Sequence, residues 1–141
     1  MAGILVICLA GFAVAAATKA DAEAMVKKGI AYIKANGKDK ALAEFSNPKG
    51  QFVSGELYIF AVDSKGITVA HGANAKLIGK NMLDLKDANG KLFMQEIVKV
   101  GKQGNGWVEY KWTNPISSKI EPKIAYVQAE GDLTVVCGIY K

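Results

Sequence analysis

The chain has 141 residues, half of them hydrophobic and 22% charged, with a net charge of +5, which describes one globular domain rather than a disordered segment or a pair of cores. All 18 basic residues are lysines, spread without a basic run. Arginine does most bidentate work on phosphates and base edges, so its absence argues against nucleic acid as a partner.

Residues 2–17 are apolar and rich in small side chains, a run short for a membrane span, where about 20 apolar residues are expected. Small-x-small triplets end at Ala15, Ala17 and Ala22. This pattern predicts a signal peptide over residues 1–22, cleaved between 15 and 22, followed by a single domain over 23–141 with no membrane span of its own. No lysine precedes the apolar run, so an uncleaved N-terminal anchor is the alternative. On either reading the rest of the chain is periplasmic or secreted. Cleavage would remove Cys8 and leave Cys137 alone, so no internal disulfide is expected. Within LTVVCGIY, Cys137 is expected to be a small buried hydrophobe.

From Glu23 to about Ala35, Met25, Val26, Ile30 and Ile33 fall near helical spacing, and Asn36-Gly37 supplies a stop. KDKALAEFS resumes the helical pattern, and NPKG breaks it. The period then changes to two: ELYIFAVD (56–63), a turn at Ser-Lys-Gly, and ITVAH (67–71) predict a hairpin. Residues 72–90, with three glycines and three asparagines, predict an irregular loop holding one helical turn. Leu92, Phe93, Ile97 and Val100 predict another helix, and WVEYKWTN, KIAYVQAE and DLTVVCGIY predict three strands. Short connections make the sheet antiparallel. The prediction is an α+β domain of about five strands with its helices segregated to one side.

Catalytic constellations are hard to assemble. His71 is the single histidine, and there is no CxxC, no haem-attachment motif and no glycine-rich phosphate loop. Asp84, Asp87 and Asn89-Gly90 faintly resemble a calcium loop, but Gln95 stands where its glutamate belongs, and turn chemistry accounts for them better. No cofactor or metal is expected.

The aromatic stretch WVEYKW is more informative. Strand alternation sets Val108, Tyr110 and Trp112 on one face, expected to point inward beneath a helix or loop. Lys123 joins that face if the register pairs it with Tyr110 or Trp112, which sequence does not fix. A lysine buried between aromatic walls needs an anion: Glu56 or Glu121 could supply it, or a small ligand carboxylate could, with tyrosine hydroxyls as further donors. Tyr58 shares a face of the first strand with Phe60, and His71 ends the second strand at the mouth of the long loop; each is either core or a ligand contact.

ELYIFAVDSKGITVAHGANAKLIGKNMLDLKDANGKLFMQEIV, followed by GNGWVEYKWTNP, EPKIAYV and VCGIYK, resembles a single Cache domain of the second type, an extracytoplasmic sensor module of bacterial chemoreceptors and sensor kinases. The resemblance covers residues 23–141. It implies a long N-terminal helix packed on a PAS-like antiparallel sheet, a pocket between sheet and loop, and small ligands, often short-chain carboxylates such as acetate, propionate or pyruvate. It also carries the family's motif positions onto His71, Tyr110, Trp112, Pro122, Lys123 and Tyr126. In the receptors a transmembrane helix and a signalling module follow the GIY strand, whereas here Lys141 is the final residue, so a stand-alone secreted form is expected. The expected function is capture of a small organic anion, with Tyr58, His71, Tyr110, Trp112, Lys123 and Tyr126 as ligand-binding residues. The alternative is a ligand-independent accessory protein docking on a membrane sensor or receptor. An enzyme using Lys123 as an amine nucleophile would require a depressed lysine pKa and a neighbouring acid.

Overall fold

Thr18 starts the first helix. Its hydroxyl accepts from the Asp21 N–H at 3.2 Å while the Asp21 carboxylate accepts from the Thr18 N–H at 2.8 Å, a reciprocal cap that satisfies two otherwise orphaned donors. The computed structural model describes residues 16–141, so the leader expected over 1–22 lies outside the described residues as far as residue 15. Helix α1 (Lys19–Asn36) therefore begins before Glu23. Ala22 is fully buried within it, so the last of the three small-residue triplets belongs to folded helix. Gly37 ends α1 at φ 86°, a conformation that favours glycine, and its N–H closes on the Ile33 carbonyl at 2.8 Å. Helix α2 (Lys38–Phe45) follows directly, giving the interrupted helix that the sequence predicts.

The sheet contains β1 (Val53–Ser54), β2 (Leu57–Val62), β3 (Thr68–His71), β4 (Asn105–Thr113), β5 (Ile120–Glu130) and β6 (Leu133–Tyr140). Its order is β1-β2-β6-β5-β4, with β3 also paired to β2 and every pairing antiparallel. The two-residue β1 is the strand beyond the expected five; it is too short for a period to register. No described helix is long and apolar enough to cross a membrane.

The helices cover both faces rather than one. Under α1 and α2 lie Ile59, Ala61, Tyr126, Val135 and Cys137, packed with Val26, Phe45 and Phe52. The alternate side chains, Tyr58, Phe60, Val62, Val108, Tyr110, Ala125, Val127 and Val136, face helix α3 (Phe93–Lys102) and the loop before it. The strong apolar stripe of α3, with Phe93, Met94, Ile97 and Val98 buried, needs a sheet face of its own, and α1 already occupies the other.

Loop 72–92 lies over that second face, with one 3-10 turn at Ala75–Leu77. Thr68 donates to the Lys80 carbonyl and accepts from the Gly79 N–H, while Ile67 bridges Asn81, so the loop is tied along β3. At its far end Asp87 accepts from the N–H groups of Asn89, Lys91 and Lys111, each at 2.9 Å. The turn chemistry expected of this aspartate thus extends to fastening the loop onto β4.

Candidate ligand-binding site

The open question of register is settled by the β4–β5 hairpin, in which Tyr110 pairs with Lys123. Lys123 therefore stands on the Tyr110/Trp112 face and is 1% exposed. Its stem crosses β6 at Gly138, where a Cβ would lie 2.7 Å from Lys123 Cε; only glycine leaves that path clear. The ammonium lies 4.2 Å from the centre of the Tyr58 ring and 5.1, 5.7 and 5.9 Å from those of Tyr140, Phe60 and Tyr110. Cation–π attraction in such a desolvated setting is worth about 2 kcal/mol. That does not match the several kcal/mol lost on burying a charge.

Lys123 donates to the Tyr58 hydroxyl at 2.9 Å and forms no ion pair among the described residues. Neither acid considered from sequence reaches it. Glu56 accepts from Asn114, and Glu121 accepts from Ser117. Burial opposes the charge on Lys123, but Tyr110, Tyr58 and Tyr140 beside it favour the ammonium, and its pKa lies above the ordinary lysine value. Burial pushes the Tyr110 phenol up to about 12 despite the nearby ammonium. At neutral pH the box is thus one cation among uncharged phenols.

His71 closes the box from β3, its ring 5.0 Å from Tyr58 and stacked on Phe60 at 5.6 Å. Its Nδ1 accepts from the N–H groups of Ala73 and Asn74 at 3.1 and 2.8 Å, which puts the ring proton on Nε2. Burial, and then repulsion from Lys123, hold its pKa down to about 3. The ring is accordingly a neutral donor rather than a second cation. Phe93 stacks on Tyr110 at 4.7 Å and leans on half-buried Trp112 at 5.2 Å, forming the opposite wall.

Five of the six predicted residues are thus brought together: Tyr58, His71, Tyr110, Trp112 and Lys123. Tyr126 is not. It is an odd number of residues from Lys123 on β5, so it projects from the opposite face, edge-on to Trp107, and donates to the Gln128 side chain at 2.7 Å. Sequence reasoning missed Tyr140, Phe93 and Gly138. The β6 alternation could have flagged Tyr140; the glycine gives no signal until the lysine stem is placed.

Phe60, His71, Met82, Phe93, Tyr110 and Trp112 enclose a cavity of only about 10 Å³. That admits at most one water. A cleft of about 220 Å³ beside it, lined by Tyr58, His71, Asn74, Trp112 and Pro115, opens toward solvent and shares His71 and Trp112 with the cavity. Loop 72–92 is seated along this cavity, tied to β3 at Thr68 and to β4 through Asp87.

The sequence profile of the family described as Single Cache domain 2 matches residues 10–141. The crystal structure of a methyl-accepting chemotaxis protein from Vibrio parahaemolyticus is 30% identical, with a TM-score of 0.75 over 86% of this chain and 87% of that one. A Cache chemosensory domain described for its carboxylic acid recognition is 26% identical, with a TM-score of 0.66 over 84% of this chain and 85% of that one. A sensor histidine kinase of Rhizobium johnstonii is 33% identical over 70 residues, which is 50% of this chain and 15% of that protein. A methyl-accepting chemotaxis protein of Pseudomonas aeruginosa is 30% identical over 94 residues, 64% of this chain and 16% of that protein. The chain therefore spans only a small part of the curated proteins it resembles.

Proposed function

The chain belongs to the single Cache domain 2 family, and from that premise we propose that it is an extracytoplasmic sensor domain that captures a short-chain monocarboxylate at Lys123. One observation carries the reading: a fully buried ammonium whose surroundings supply phenols and a neutral imidazole but, among the described residues, no carboxylate. A guest carboxylate would provide the missing charge, accept from Lys123 and from His71 Nε2–H, and place its alkyl end against Phe93 and Trp112. A second carboxylate would find no cation among these walls, so monocarboxylates are favoured. The likeness to a domain described for carboxylic acid recognition supports the same class.

The cavity is too small for a four-atom carboxylate, so binding requires the 72–92 loop to yield or side chains to turn. The amine-nucleophile reading is disfavoured, because it also needs a neighbouring acid and no carboxylate pairs with Lys123 among the described residues.

A second reading, an accessory protein that docks on a membrane sensor without a ligand, draws on two observations. Ile116 and Ile120, at the β4–β5 turn, are 69% and 62% exposed, and the cavity is almost filled by protein. A thermal-shift and calorimetric series of C2–C4 monocarboxylates separates the readings. Capture predicts stabilisation by about 2.7 kcal/mol at a concentration one hundred times Kd. No shift with any acid in the series sinks the carboxylate reading and leaves docking.

A further inference from the structure

Three hydrogen bonds run in series from the buried ammonium to the end of β6. Lys123 Nζ meets Tyr58 Oη at 2.9 Å, Tyr58 Oη meets Tyr140 Oη at 3.2 Å, and Tyr140 Oη meets the Thr113 carbonyl at 2.8 Å. Their direction follows from the chemistry of the two ends. An ammonium only donates and a carbonyl only accepts. Tyr140 has one proton, and it goes to Thr113, so in the middle bond Tyr140 accepts. Tyr58 accepts from Lys123 and gives its own proton to Tyr140.

This ordering has a consequence for binding. A carboxylate resting on Lys123 Nζ lies beside Tyr58 Oη, which also borders the cleft. With its proton engaged by Tyr140, Tyr58 would turn a lone pair toward that anion, which is repulsive. Rotating the phenol hydrogen toward the anion makes Tyr58 a donor and strips Tyr140 of the bond it accepts. The bond at risk is the longest of the three, and hence the weakest. The Tyr140 side chain is one of the ties at this end of β6, together with the ladder that pairs Tyr140 with Lys123, the Lys141 N–H bond to the Pro122 carbonyl at 2.9 Å and the Lys141–Glu109 ion pair.

We propose that a bound carboxylate and Tyr140 compete for a single proton, the phenol hydrogen of Tyr58, so that filling the pocket unlatches β6 at Tyr140. This rests on the carboxylate reading above. Tyr140 is then a positioning residue of the site, holding Tyr58 in its ligand-free polarity, and the far end of β6 reports occupancy.

The test has a ligand-free arm and a ligand arm, both on the full chain. Without ligand, Tyr58→Phe removes the donated proton, and amide exchange at Lys141 should quicken about fivefold while Val135–Cys137 stay as in the parent. Unchanged exchange at Lys141, or equal quickening at Val135–Cys137, overturns the latch. With acetate and pyruvate as probes, Tyr140→Phe should bind about fivefold more tightly than the parent, because the competitor is gone, and Tyr58→Phe should bind more weakly. A merely structural tyrosine would weaken binding or leave it alone. Acid binding that ignores Tyr140→Phe overturns the competition by itself. Absence of acid binding in the parent and in Tyr140→Phe alike overturns it together with the carboxylate reading.

Discussion

The two faces of one sheet are built from alternate residues of the same strands, yet they are different materials. Beneath α1 and α2, Ile59, Ala61, Val135 and Cys137 meet Val26, Phe45 and Phe52; Cys137 is the titratable group fully buried there, and burial holds its thiol up to about 12. Beneath α3 and the loop, Tyr58 and Phe60 meet His71 and a buried ammonium. The first face gains stability from every contact. The second accepts a desolvated charge that an apolar side chain of similar bulk would avoid. A sheet that tolerates this on one side relies on the other for its stability.

The sharpest way to break this comparison is to substitute one residue on each side. Phe52→Ala on the dry face should cost about 3–5 kcal/mol in urea unfolding, since the ring is fully buried between Phe45 and Tyr32. Lys123→Met should do the reverse and raise stability by about 1–4 kcal/mol, because it keeps the stem and removes the charge. It should also weaken carboxylate binding at least tenfold by calorimetry, about 1.4 kcal/mol. A destabilised Lys123→Met chain would make Lys123 a structural residue and erase the distinction between the faces.

Acid probes the same boundary. His71 titrates at about 3 in the folded chain against an ordinary 6.5. Its folded-state pKa is depressed, so the stability tied to its neutral form is complete above pH 6.5 and is lost as the pH falls toward 3, where the unfolded chain binds the extra proton. The slope for one such group is about 1.4 kcal/mol per pH unit. Urea midpoints between pH 6.5 and 4.5 report it almost alone, since His71 is the single histidine and most carboxylates titrate lower. His71→Asn keeps an acceptor for the Ala73 and Asn74 amides and should flatten that slope. An unchanged slope would mean that the imidazole is charged in the folded state.

How much of this was legible in the sequence follows from which periods are local. The interrupted helix, the hairpin after it and the aromatic face of β4 all announce themselves within a dozen residues. The placement of α3 on the second face does not, because it depends on α1 already covering the first. Lys123 could be suspected but not placed, since hairpin register is set by turn geometry across residues 114–119. Once Lys123 is placed, alternation alone moves Tyr126 to the far face, a correction the family motif does not supply. Tyr140 and Gly138 gain meaning only from contacts with residues far away in sequence, and no composition or spacing encodes those.

The smallest effect expected concerns the loop, and it sharpens the comparison most finely. If the second face is held closed by a fastening on its rim rather than by its core, weakening the rim should free the cover and leave the sheet intact. Asp87 is that fastening: burial opposes its charge, but the Lys111, Lys91 and Asn89 amides and the Lys91 ammonium together outweigh it and hold the carboxyl below the usual value. Asp87→Ala should leave the urea midpoint close to that of the parent while quickening amide exchange at Lys111 and Lys91. It should also speed carboxylate association, because a loosened loop yields more readily to a guest bound for the 10 Å³ cavity. Faster exchange with an unaltered association rate would place the route to Lys123 through the cleft at Asn74 and Pro115, with the loop as a fixed wall.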